Sequence, residues 1–148
     1  MAHAVNSELV AVHWLRSLEL GPQVATTVPE RSETFEANGF LRVLGVGGAP
    51  HVYTTRQASM IQVDSFAYRE GSRAVPWGKA ATILADVKAV VESGAQVHGL
   101  VETPSAFLDA RLMGAETNSD PQRIEDEAGM ARYSMLLQLW WVPIPEEG

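Results

Sequence analysis

The stretch IQVDSFAYREGSRAVPWGKAATILADVKAVVESGAQVHGLVET (61–103) decides the fold. Its opening, residues 61–68, alternates like a strand: Ile61, Val63, Ser65 and Ala67 fall on one face, Gln62, Asp64, Phe66 and Tyr68 on the other. The first face suits a covering helix, and the second is expected to look toward solvent or a partner. Residues 76–93 then predict a helix, with Pro76 at a first-turn position. Ala80, Leu84, Val87 and Val91 follow i, i+4, i+7, i+11 spacing, with Lys79, Thr82, Asp86 and Ser93 opposite, and Gly94 is a natural residue just past the end. A second strand-like run, residues 97–103, comes next and stops at Pro104.

Working outward, residues 7–19 predict a helix capped by Asn6 or Ser7, with Glu8 in its first turn. Val10, Trp14 and Leu18 form its apolar stripe, widened by Leu15, and Gly21-Pro22 ends it. A short strand is expected near 23–28, then a polar connector (29–39) ending in an Asn-Gly turn. A strand at 40–46 should pair as a hairpin with 59–68 across a long loop at 47–58, glycine-rich at its start, that can itself extend the β-ladder. Residues 106–113 resume as an edge strand. The acidic, turn-rich stretch 114–129 is expected to be a mobile loop or one ordered by a partner. A long C-terminal strand, residues 131–142, closes the chain. The expectation is therefore an α+β, two-layer domain spanning 1–148, with a mostly antiparallel sheet of four to five strands and two helices packed on one face.

Composition narrows the function. A chain of 148 residues can bury a core unaided, and its lack of cysteine excludes disulfide scaffolding, cysteine-ligated zinc and thiol catalysis. The excess of 18 acids over 11 bases disfavours a tight grip on phosphates. The N-terminal stretch lacks the basic segment of a signal peptide, and no apolar run is long enough for a membrane helix, so no membrane partner is expected.

Motifs for chemistry are absent. His3, His13, His51 and His98 form no ligand pair, and GVGG (45–48) precedes neither a Lys-Ser/Thr pair nor a helix start, so it reads as a turn rather than a phosphate loop. No serine lies in a nucleophile elbow, and Glu125, Asp126 and Glu127 lack the alternating order of a calcium loop. No catalytic residue, cofactor or metal is expected.

The C-terminal strand carries the strongest signal. Tyr133, Met135, Leu137, Leu139 and Trp141 share one face and Leu136, Trp140 and Val142 the other, so both faces are largely apolar. Either the strand is central and covered on both sides, or one face meets a neighbouring subunit. Two helices have little with which to cover both faces, which favours the subunit contact.

Taken together, ELVAVHWLRSLEL (8–20), the VP at 28–29, FLRVLGVGGAP (40–50), residues 61–92 and SDPQRIEDEAGMARYSMLLQLWWV (119–142) resemble the tail terminator (tail-completion) proteins of long-tailed, lambda-type bacteriophages. The most telling piece is a Gln-Val-Asp strand, a short linker and an alanine-rich helix. The connector at 29–39 and the loop at 114–129 are longer than a minimal subunit of that kind needs. The resemblance implies a non-enzymatic virion protein assembled in the host cytoplasm. It would form a ring, of six copies in that family, at the head-proximal end of the tail. Its partners would be further copies of itself, the tail tube protein and the head–tail connector protein, with DNA passing through the lumen without specific binding. Another head–tail adaptor or stopper, or the tube protein itself, is the nearest alternative, and a small ligand-binding or enzymatic α+β domain is the alternative of a different class.

Candidate contacts with copies or partners are Tyr53, Arg56, Phe66, Tyr68, Trp77, Glu125, Asp126, Trp140 and Trp141. Exposed acids, among them Asp64, Glu70 and the 116–127 loop, are expected to keep the lumen neutral or acidic.

Overall fold

The computed structural model describes residues 7–50, 57–70, 75–94, 96–102, 109–125 and 129–144. Along the chain these form α1 (Ser7–Ser17), β1 (Gln23–Ala25), α2 (Glu33–Asn38), β2 (Phe40–Pro50), β3 (Gln57–Ala67), α3 (Trp77–Ser93), β4 (Gly99–Val101), β5 (Asp109–Thr117), β6 (Gln122–Ile124) and β7 (Ala131–Ile144). The architecture is α+β, but the described residues form seven strands and three helices rather than four to five strands and two helices.

The sheet order is β1-β2-β3-β7-β5-β4, with β6 also paired to β7. Every pairing is antiparallel except that of β1 with β2. The C-terminal strand β7 is central: β3 runs along one edge from Ala131 to Trp141, and β5 followed by β6 runs along the other. Residues 118–121 step out of the ladder between β5 and β6, and the Leu136 backbone stays satisfied there. Its carbonyl accepts from Asn118 and Ser119, and its N–H donates to Ser119 Oγ. The stretch expected as a loop at 114–129 therefore completes β5 and supplies β6. Of the segment expected as an edge strand at 106–113, residues 106–108 lie outside the described residues, and 109–113 lie inside the sheet rather than at its edge, which β4 forms.

α1 and α3 cover one sheet face. Val10, Ala11, Trp14 and Leu15 of α1 and Ile83, Leu84, Val87 and Val91 of α3 close over Leu41, Val43, Ile61, Val63, Met135, Leu137, Leu139 and Trp141. The alternation in β3 explains the packing, since Ile61, Val63, Ser65 and Ala67 all point into this layer, where the Ser65 hydroxyl donates to the Ala80 carbonyl at 2.7 Å. α1 touches β1 and β4, the two ends of the strand order, so the sheet must curl around it. The Trp14 indole reinforces that closure by donating to the Gln96 carbonyl at 2.8 Å, just before β4.

The third helix, α2, sits where a polar connector and a turn are expected. Ser32 caps it, its hydroxyl accepting from the Phe35 N–H at 3.2 Å, and Gly39 ends it at φ 77°. It packs on the opposite sheet face: Phe35 meets Phe40, Phe66 and Tyr68. The helices are thus not confined to one face. GVGG (45–48) is not a turn, and the ladder extends into the 47–58 loop from both sides. β2 runs on to Pro50 through a bulge at Val46, and the Glu8 carboxylate accepts from the Gly45 N–H at 2.9 Å.

Candidate functional site

The sheet face away from α1 and α3 carries the features that call for an explanation. At its α2 end Phe40, Phe66 and Arg132 form one cross-strand row, and Arg42, Asp64 and Ser134 form the next. Asp64 is fully buried. Its Oδ2 accepts from Arg42 at 2.6 Å and from Arg132 at 2.9 Å, while Gln62, two residues back on the same face, donates to both carboxylate oxygens at 3.0 and 3.1 Å. Burial pushes the Asp64 carboxyl up, but hydrogen bonds from Ser134, Arg42 and Gln62 and the charge of Arg132 outweigh it, leaving it below the usual aspartate range. The Phe66 ring lies 5.3 Å from the Arg42 guanidinium and 5.5 Å from that of Arg132. Both Arg Nε atoms are buried without a hydrogen-bond partner.

Beyond this charged end the face becomes an apolar band. Leu44 of β2, Met60 of β3 and Leu136, Trp140 and Val142 of β7 are all half-buried, with Gln62 and Gln138 between them. Among the described residues, α2 is the only helix on this face, and it stops at the Phe66 end. Trp140 lies between Ala58 and Gly114, and its half-buried indole rests over Gly114, where a β-carbon would stand 3.7 Å from Cε3.

The structure scatters the sequence-derived contact candidates. Tyr53, Arg56 and Asp126 lie outside the described residues. Phe66 and Tyr68 do not look toward solvent: they are 3% and 4% exposed, closed off by Phe35, and the Tyr68 hydroxyl donates to the Ser32 carbonyl. Trp77 is half-buried on the α3 side, stacked beneath Arg123 at 3.7 Å and edge-on to Tyr133. Glu125 is exposed and paired with Arg123 at 3.3 Å. The two adjacent tryptophans split as a strand demands. Trp141 is in the core beneath α1 and α3, its indole donating to Ser7 Oγ at 3.2 Å, and Trp140 is on the opposite face, beyond the reach of α2. Asp64, expected as an exposed acid of a lumen, is buried and paired with Arg42 and Arg132 inside the fold. Glu70 is exposed.

Sequence reasoning missed Arg42, Arg132, Leu44 and Met60. The available signal was the alternation itself: in a ladder with Asp64 at its centre, an arginine on each flanking strand pairs with that acid. A cleft of about 590 Å³ beside the end of α1 is lined by Leu15, Leu20, Val24 and Phe40, with Arg16 and Glu19. The Arg16 guanidinium is already engaged there, its Nε donating to the Val24 carbonyl at 3.0 Å. Among the described residues, no helix is long and apolar enough to cross a membrane, and no group of three or more His, Asp or Glu is placed to hold a metal ion.

No protein-family model and no curated protein matches the chain. Among solved structures it is similar to a chain in the virion of a native gene transfer agent particle. The match has a TM-score of 0.50 and 12% sequence identity, and covers 95% of this chain and 87% of that one. At that identity the likeness is one of fold, extending over nearly the whole of both chains.

Proposed function

We propose that the protein is a structural virion subunit of the tail-terminator kind. It forms a ring, of six copies, that caps the tail tube at its head-proximal end, joins it to the head–tail connector and acts by assembly without catalysis. The observation that carries this reading is the half-buried band of Leu44, Met60, Leu136, Trp140 and Val142 on the sheet face away from α1 and α3. Among the described residues α2 covers only the Phe66 end of this face, which favours cover of the band by a partner. The fold likeness to a chain of a gene transfer agent virion supports the same class of assembly. Its partners are further copies of itself, the tail tube protein and the connector protein, and DNA passes through the ring without specific contacts.

Negative-stain imaging of the purified protein, alone and with tail tubes, tests this. Closed rings, alone or at one end of the tubes, are expected. Open-ended stacks would point to a tube protein instead, and particles that stay monomeric and leave tube ends bare would overturn the reading.

A further inference from the structure

Two guanidiniums share one carboxylate on the sheet face away from α1 and α3. Arg42 and Arg132 both bond Asp64 Oδ2, and among the described residues no other acid pairs with either. The cluster therefore carries a surplus positive charge in a chain whose net charge is −7. Each arginine side chain retains 24% exposure, so the surplus charge is still partly hydrated. The next rows along the face, Leu44, Gln62 and Leu136, then Met60 and Gln138, carry no charge.

Whatever covers this face removes that hydration. An apolar or amide group over the pair would leave an uncompensated guanidinium buried, which is among the most costly arrangements an interface can hold. A carboxylate supplies the missing charge, and the fork geometry of arginine suits it. A second copy of this chain, with 18 acids to 11 bases, offers such groups over much of its surface. A ring closes through unlike patches on each subunit, so the acid can lie elsewhere on the neighbouring copy.

We infer that Arg42 and Arg132 form the charged end of the contact between copies and receive a carboxylate of the neighbouring subunit, while the Leu44–Trp140 band forms its apolar part. This rests on the ring reading above.

The test is the self-association of the full chain, followed by sedimentation velocity at about 0.05 and about 0.5 M NaCl. Wild-type association should weaken as salt rises. Arg42→Gln and Arg132→Gln should each weaken it about tenfold or more and flatten its salt dependence, with Arg132→Lys recovering part of the loss. Association indifferent to salt, or folded glutamine variants that associate like wild type, overturns the inference and leaves the ring reading standing. A wild-type chain monomeric at every concentration overturns the inference, and it sinks the ring reading too where tube ends also stay bare. Duplex DNA bound by wild type and released by the glutamine variants would assign the pair to phosphates and overturn it too. Should the glutamine variants fail to fold, the wild-type salt series decides alone.

Discussion

Gly39 and Ile83 meet with no room between them: a β-carbon on Gly39 would stand 2.3 Å from Ile83 Cδ1 and 3.1 Å from the Phe66 carbonyl. The glycine also holds φ 77° and ψ −171°, a region essentially reserved for glycine. It turns the chain from α2 straight into β2. Gly39→Ala should therefore lower stability by about 3 kcal/mol, read from the urea midpoint. Adding Ile83→Val should remove the clash but not the backbone strain, so the double variant is expected to recover only a minor part of the loss.

Asp64 should be the costliest polar position to change. Asp64→Asn leaves two neighbouring guanidiniums without a counter-charge, and a loss of about 3–5 kcal/mol is expected in chemical denaturation. Replacing all three groups with apolar ones (Arg42→Met, Asp64→Leu, Arg132→Met) should cost far less, because no buried charge remains. A triple variant less stable than Asp64→Asn alone would show that the ion cluster itself stabilises the sheet.

The same carboxylate sets an acid limit. Its folded value lies below the ordinary aspartate value of 3.8, so its contribution is complete above that pH and is lost as pH falls through the lower folded value. Urea midpoints taken from about pH 5 downward should decline, and Asp64→Asn should flatten the decline. Equal slopes for the two proteins would assign the acid sensitivity to other groups.

Leu84 lies at the centre of the α3 stripe and is fully buried with Trp14, Val87 and Leu137. Leu84→Ala should cost about 2–5 kcal/mol by the lost burial and the cavity left behind. A loss under about 0.5 kcal/mol would mean that the helix does not hold the sheet in this register.

Much of this was legible because burial imposes its period on the residues. The α3 stripe, the inward set Ile61, Val63, Ser65 and Ala67 of β3 and the opposed tryptophans of β7 all follow from spacing alone. What escaped were elements too short to show a period. α2 spans six residues, and only its end signals, Ser32 before Glu33 and Glu36, then Gly39, mark it in the sequence. β6 spans three, held by the Arg123–Trp77 stack and by β7. The face bearing Asp64 and Phe66 was misjudged as open for the same reason, since its cover, Phe35, sits on the helix that escaped. The arginine pair was hidden because its partners lie 22 and 68 residues from or to Asp64 along the chain, a separation that only strand register reveals.

The central place of β7 has a consequence for how the molecule is made. β3 and β5 both precede β7 in the chain, and both need it to fill an edge. As the polypeptide leaves the ribosome, β2 and β3 can close into a hairpin and α3 can coil, but β3 and β5 wait with bare backbone donors and acceptors until β7 emerges. A message cut short before residue 131 would therefore yield a chain with two sticky strands and no centre, suited to aggregation rather than to partial function. The quality check on each copy is built into translation: only a chain read through β7 gains a finished sheet.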